Sequence, residues 1–364
     1  MTKISASVII CAYTEKRWDD LLAVVESLRH QTVPPCEVII VVDYNDALLK
    51  RVREHITDVI AIENQRAKGA SGSRNTGVAI AQGPVVAFLD DDVIAEPTWM
   101  EQLLAPYEDP SIVGVGGKID PLWIGERPAW FPDEFTWVVG CTFRGMPSDI
   151  APNRIAANMS VRRDIFIAMG GFRESSGWNH KNRENRGKTK ERFNFSRVRH
   201  YEGGEEPELC IRIANRYQGT VRFFYAPLAL VKHHVPEQRM RLRYFLWRSY
   251  YEGVGKAFLV SLHGTKDGLA AERTYTFKAL PRGVLRELGE ALFHNDLAGF
   301  ARAGAIVVGL SATVAGYLVG RCSLQLPTLR SIDTIRHRTS ETLLAIDTGQ
   351  GADEADIRSE VDPA

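Results

Sequence analysis

The chain of 364 residues has few cysteines, no net charge and no glycine-rich phosphate loop. Its five cysteines, Cys11, Cys36, Cys141, Cys210 and Cys322, are scattered and nowhere spaced as C-x-x-C, which argues against a disulfide framework and a cysteine zinc site. A reducing compartment fits them best. Lysine plus arginine and aspartate plus glutamate both number 45, so there is no basic excess and no nucleic-acid partner is expected. The opening MTKISASVIICAY lacks the charged-then-apolar layout of a secretory signal and runs directly into strand-like residues. The expected location is therefore cytoplasmic. A dinucleotide fold needs G-x-G-x-x-G after its first strand, where this chain reads CAYTEKRW. The same lack counts against a P-loop enzyme and a nucleotidyltransferase. No internal repeat is present.

One apolar segment stands out. Ala303–Gly320 carries no charge over 18 residues and is flanked by Arg302 and Arg321. About 20 apolar residues are needed to span a bilayer, so the run is slightly short. Three readings stay open: a helix packed on the domain or on a partner, a peripheral membrane contact at the inner face of the cell membrane, and a true span.

The first hundred residues alternate between two patterns. Ser7–Ala12, Glu37–Val42, Val59–Ile62 and Val85–Leu89 are apolar runs of strand length. Between them, Trp18, Leu21, Leu22, Val25 and Leu28 keep helical spacing, a polar helix covers about 47–55, and Ser71–Ala81 reads as a helix with Ser71 as N-cap. Strands buried on both faces and separated by helices imply a mostly parallel α/β sheet. Ligands of such sheets bind beyond the carboxyl ends of the strands. Asp43 and Asp90–Asp92 both follow strands, which puts them on one rim.

Further on, Pro121–Pro147 reads as an aromatic loop. Ile155–Val161 and Val221–Tyr225 read as strands, and Arg163–Met169, Glu205–Tyr217, Arg239–Phe258 and the stretch from Leu280 to about Gly320 as helices. Residues 177–200 hold many lysines and arginines and read as a mobile loop. From Gly349 the chain has little apolar content and is expected to be disordered.

The stretch VVAFLDDD poses the chemical question. Three adjacent carboxylates at the end of an apolar strand repel one another. A hard divalent cation, Mn²⁺ or Mg²⁺, relieves that repulsion and is commonly shared with substrate phosphates. The plainer alternative makes one aspartate a turn cap and leaves the others solvated. Asp43 either terminates its strand or accepts from a nucleobase or ribose. Lys68 and Arg74 flank a helix start, where anions are favoured; both also read as solvated charges. Glu205 and Glu206 begin a helix, a position that favours negative charge in any case.

Four blocks carry a resemblance: SVIICAYTEKRWDDLLAVVESLRHQTVPPCEVIIVVD, RAKGASGSRNTGVAIAQGPVVAFLDDD, NMSVRRDIFIAMGGF and GGEEPELCIRI. In this order they resemble the inverting family 2 glycosyltransferases of GT-A fold, over roughly residues 5–260. PAWFPDEFTWVVGCTFRG and HHVPEQRMRLRYFLWRSYYEGVGKA are similar to a subgroup that includes an archaeal glucosyl-dolichyl-phosphate glucuronosyltransferase. The resemblance implies a Rossmann-like nucleotide-sugar domain over 1–235. Its nucleotide-sugar half would be about 1–120 and its acceptor half about 121–235. A helical extension over 236–330 and a tail over 331–364 would follow.

It also implies roles. Asp43 would contact the base. Asp90 or Asp91 would contact the ribose, with Lys68 and Arg74 beside the nucleotide. Asp92, Asp90 and His233 would hold the metal, His234 being the rival histidine. Glu206 stands where the family usually has its catalytic aspartate, with Glu205 as second choice. Asn158, Arg162 and Arg163 fall in the block resembling the acceptor-side wall. Trp130 and Trp137 either stack on sugar faces or pack in a core. The basic run at 181–199 either grips an acceptor phosphate or is solvated. The expected activity is transfer from a nucleoside-diphosphate sugar, UDP most often, to a hydroxyl of a glycan or lipid-linked saccharide. A nucleotide-sugar-binding protein without turnover is the alternative.

Overall fold

The structure, a computed structural model, describes residues 4–146, 157–174 and 204–325. The basic run at 181–199 and the tail at 331–364 lie outside the described residues. Residues as far as Arg321 form one compact unit; of a second unit, Cys322–Ala364, only the first residues are described.

Eight strands form one mixed sheet in the order β3-β2-β1-β4-β7-β6-β8-β5. The first four are β1 (Ala6–Ala12), β2 (Glu37–Val42), β3 (Ile60–Glu63) and β4 (Val85–Asp90). They pair in parallel, as β-helix-β units require. The helices α1 (Trp18–Arg29), α2 (Asp46–His55) and α3 (Ala70–Ile80) connect them. Side chains along β1 alternate between two cores: Val8 and Ile10 join one cluster, Ile9 the other. Burial on both faces is the reason these strands read as unbroken apolar runs.

The rest departs from the sequence reading. A short β5 (Val93–Ala95) and α4 (Trp99–Leu104) follow the aspartates, and β6 (Ile112–Trp123) runs into the stretch expected to be loop. Beyond it the aromatic segment forms a 3-10 turn at Asp133–Val139. Next come β7 (Asn158–Arg162), α5 (Arg163–Ala168) and α6 (Glu205–Tyr217). β7 is antiparallel to both β4 and β6.

The strand expected over Val221–Tyr225 continues as β8 (Arg222–Val235). Pro227 hid this continuation, because proline cannot donate in a ladder and reads as a strand end. The structure accommodates it in a bulge: Gly117 pairs with Ala226, and the next pair is Lys118 with Leu230. Bulges re-aim a strand. Beyond this one, β8 crosses to β5 and sets His233 opposite Val93, one residue from Asp92.

The C-terminal part is helical: α7 (Leu242–Gly268), α8 (Ala270–Thr274), a π turn at Tyr275–Ala279, α9 (Leu280–Phe293) and α10 (Ala298–Gln325). Positive φ at Gly264 breaks the helical geometry within α7. Phe245, Leu280 and Ile306 belong to the same buried cluster as Val8 and Phe135, so these helices share the core of the sheet domain.

Candidate active site

Asp90 ends β4, in register with Cys11 of β1, and Asp91 and Asp92 follow in the turn to β5. Asp91 and Asp92 turn inward and are 3% and 4% exposed, whereas Asp90 remains half-exposed. Buried carboxylates need partners. Arg17, in the turn after β1, supplies them: its guanidinium lies 2.5 Å from Asp91 Oδ1 and 3.1 Å from Asp92 Oδ2. His233 Nε2 is 3.2 Å from Asp92 Oδ1.

The two neighbours titrate in opposite directions. Burial pushes Asp91 up to about 7, with Arg17 opposing and Asp92 adding repulsion. Burial also acts on Asp92, but His233 and Arg17 outweigh it and hold its carboxyl below the usual carboxylate range.

One oxygen of Asp90, one of Asp92 and one ring nitrogen of His233 lie within 4.8 Å of one another. The two carboxylate oxygens suit a hard cation such as Mn²⁺ or Mg²⁺, the imidazole favours Mn²⁺ of the two, and the set offers no sulfur for a thiophilic ion. The residues present therefore fit the expected ion.

Arg74 of α3 links this cluster to the start of α6. Its Nη2 lies 3.1 Å from Asp90 Oδ1, and its Nη1 lies 3.2 Å from Glu206 Oε1 and 3.4 Å from Glu205 Oε1. Burial would lower the pKa of Arg74, but Asp90 and Glu206 outweigh it, and the guanidinium stays charged. Burial and the adjacent Glu205 push Glu206 up to about 8, against the pull of Arg74. Burial raises Glu205 as well. A carboxyl poised near neutrality at a cleft wall suits proton transfer.

Asp43 ends β2 and is buried. Its Oδ1 accepts from Asn64 Nδ2 at 2.8 Å, and both oxygens accept from the Gly69 N–H at 3.2 and 3.1 Å. These bonds cap α3 from outside. The N-cap is Gly69, at φ 124°, and not Ser71 as the sequence implied. That backbone angle favours glycine, and it starts the helix one residue before Ser71.

A cleft of about 620 Å³ brings many of these groups together. Tyr13, Arg17, Asp43, Arg74, Asp90, Asp91, Glu205 and Glu206 wall one part; Trp137, Arg239, Tyr244, Trp247, Arg248, Lys256 and Tyr275 wall the rest. Lys68 is exposed outside these walls, 6.0 Å from the Tyr44 ring.

Three expected acceptor-side residues do not line it. Arg162 donates to the carbonyls of Ile112, Tyr107 and Asp109. Arg163 opens α5, where its backbone N–H bonds Pro84 O. Asn158 Nδ2 donates to Lys118 O at 2.9 Å and Ala229 O at 2.8 Å, while its Oδ1 accepts from Trp99 Nε1 at 2.8 Å. These bonds stitch the bulge that aims His233. Asn158→Ala strips three buried groups of their partners and is expected to cost about 3 kcal/mol in urea unfolding.

Trp130 packs on Phe131 and Phe245 away from the cleft, while Trp137 donates its indole N–H to Tyr275 Oη at 3.1 Å. His234 points the other way from His233, with its Nδ1 2.6 Å from Asp20 Oδ1.

Sequence reasoning missed Arg17 and Arg239. Arg17 carried a usable signal: it follows the first strand and therefore lies on the same rim as the aspartates. Arg239 had none, since its approach to His233, Nη1 to Nε2 at 3.5 Å, depends on the turn after β8.

A strand-end acidic cluster and a helix-start glutamate pair, bridged by the Arg74 guanidinium, thus meet at one cleft. The glycosyl transferase family 2 model matches residues 7–170. A glucosyl-dolichyl phosphate glucuronosyltransferase of Haloferax volcanii is 34% identical over 267 residues, covering 71% of this chain and 79% of that protein. The chain belongs to glycosyl transferase family 2 and is a glycosyltransferase. A pre-mycofactocin glycosyltransferase of Mycobacterium tuberculosis is 27% identical over 65% of this chain, a match spanning 43% of that protein. The UDP-Glc:alpha-D-GlcNAc-diphosphoundecaprenol beta-1,3-glucosyltransferase WfaP of Escherichia coli is 41% identical over 88 residues, 24% of this chain and 34% of its own.

Proposed function

We propose that this glycosyltransferase is metal-dependent and inverting, and that it moves a sugar from a nucleoside diphosphate, UDP by preference, to a hydroxyl of a lipid-linked saccharide or glycan. The observation that carries this is the Arg74 bridge. One buried guanidinium lies 3.1 Å from Asp90 and 3.2 Å from Glu206. The donor-side carboxylate and the base thus face the same charge across one cleft.

Each residue then has a task. Asp43 and the start of α3 hold the nucleoside, and Asp90 or Asp91 takes the ribose. Asp90, Asp92 and His233 would hold Mn²⁺ or Mg²⁺, which, when bound, offsets negative charge on the diphosphate. Arg17 and Arg239 add fixed positive charge beside it, in place before reaction. Glu206 accepts the proton of the acceptor hydroxyl as its oxygen attacks the anomeric carbon. The attack comes opposite the diphosphate, so an α-linked donor yields a β-linked product. Glu205 is the second candidate base. Trp137 offers a stacking face for a sugar. In this reading the nucleotide-sugar half is about 1–120, the acceptor half extends to about 235, and the described helices that follow, as far as Gln325, complete the acceptor end. The relatives named for dolichyl phosphate and diphosphoundecaprenol substrates favour a lipid-linked acceptor, met at the inner face of the cell membrane.

The test is a panel of nucleotide sugars assayed for nucleotide release with and without Mn²⁺. Release from a UDP-sugar is expected, with loss on chelation and recovery on adding Mn²⁺ or Mg²⁺. Undiminished release in chelator rejects the metal-dependent mechanism. Nucleotide binding without any turnover supports a silent binding protein, and pyrophosphate production a nucleotidyltransferase.

A further inference from the structure

α10 has two unlike faces. On one, Gly309, Gly316 and Gly320 let it lie against the body of the protein. A Cβ at Gly316 would sit 1.9 Å from Tyr250 O of α7, and one at Gly253 of α7 would sit 1.9 Å from Thr313 O. The other face is bare. Phe300, Gly304, Val307, Val308, Ser311, Val314, Ala315 and Leu318 are exposed at helical spacing, without a charge among them.

The stripe begins at a corner where α9 meets α10, since a Cβ at Gly299 would sit 2.3 Å from Glu287 O. Leu292, Phe293 and Leu297 are 66%, 83% and 70% exposed there. Soluble monomers rarely expose so continuous an apolar surface, and such surfaces mark contact with a partner or a membrane.

Charge separates these possibilities. Two acids of this region are paired, Glu287 by Arg286 and Arg302 and Asp296 by Arg302, while Glu290 lies 3.4 Å from His294. Lys278 and Arg282 are exposed beside Phe277 and Leu285 and have no ion pair among the described residues. An apolar face bordered by unneutralised cations complements anionic lipid headgroups. A second copy of the chain would bring the same cations together. A full span would require the glycine face to leave α7, which walls the cleft.

We propose that the outer face of α9 and α10 docks on an anionic lipid bilayer, peripherally. This rests on the reading of a lipid-linked acceptor and gives it a geometry. Leu280 of α9 and Leu310 and Thr313 of α10 line the cleft, so the helices that lie on the bilayer also wall the acceptor end.

The experiment is flotation of the full chain with vesicles of phosphatidylcholine alone or mixed with phosphatidylglycerol. Binding is expected to the mixed vesicles and to weaken with salt. Phe293→Ser with Phe300→Ser should lower partitioning about ten-fold per ring. Lys278→Glu with Arg282→Glu should lower it about five-fold per charge on mixed vesicles only. Nucleotide-sugar hydrolysis in solution should be unchanged in both double variants. Failure of the monodisperse wild-type chain to float overturns the proposal. So does resistance to alkaline carbonate extraction, which marks a span, or a Phe293→Ser/Phe300→Ser variant that loses a dimer while keeping its vesicle binding. If the vesicles bind but no lipid-linked acceptor is glycosylated, the docking surface stands and the acceptor reading falls.

Discussion

Replacing Asp92 by Asn is expected to reduce sugar transfer about a thousand-fold, the scale of losing a principal electrostatic contact in the transition state, and to abolish Mn²⁺ binding in calorimetry. The fold should survive. Asp92 holds its place through the backbone, whose carbonyl accepts from His234 N at 2.9 Å, and Asn matches the shape of the side chain. The substitution removes a carboxylate that His233 and Arg17 keep ionised against burial. Asp91→Asn makes the informative contrast. Asp91 is raised to about 7 and is 2.5 Å from Arg17. Its loss should disturb the Arg17 pair and thermal stability more than metal affinity. Equal metal affinity in wild type and Asp92→Asn would remove Asp92 from the proposed ion site.

Glu206→Gln is the second large effect. A general base contributes about 10²–10⁴-fold, and a comparable loss of kcat is expected with donor affinity nearly unchanged. The pH dependence has a defined sign. Glu206 must be ionised to accept a proton, so wild-type kcat/KM should climb with pH along an acid limb. The midpoint should lie well above the ordinary glutamate value of 4.5, toward about 8. That limb should vanish in Glu206→Gln and persist in Glu205→Gln.

Stability runs the other way. A carboxyl whose pKa is raised on folding binds its proton more tightly in the folded chain, so its contribution is present below 4.5 and is lost as pH rises toward 8. Glu206→Gln should therefore be the more stable protein above neutral pH, by on the order of 2 kcal/mol. An inactive variant that is also more stable would show a catalytic group held at a cost to the fold. If Glu205→Gln were the inactive one, the base assignment would pass to Glu205.

Several features were legible without coordinates. The four parallel strands lie within a residue or two of their apolar runs, because burial on both faces leaves a pattern in neighbouring residues. Asp43 and Asp90 fall on one rim because a parallel sheet puts all its strand ends on the same side. β5 escaped notice because three residues pair only through a distant strand. The second half of β8 escaped because Pro227 mimics a strand end until the bulge absorbs it.

The choice between His233 and His234 shows where local reading stops. The resemblance names His233 with His234 as its rival, and nothing in the neighbouring residues separates them, because the sequence pattern ends the strand at Tyr225. Adjacent strand residues point to opposite faces. The register of β8 against β5 decided it, sending His233 to Asp92 and His234 to Asp20. Asn158 is similar: the family resemblance marked it for an acceptor wall, yet tertiary structure directs its side-chain hydrogen bonds to the bulge and to Trp99. The bridge from Asp90 through Arg74 to Glu206 joins residues 16 and 132 positions apart. What the sequence determined by itself was the strand pattern, the rim and the types of charge placed on it, since these follow from neighbours along the chain. Which of those charges meet was decided only by packing and register, since attraction between ions depends on distance in space and not on separation in sequence.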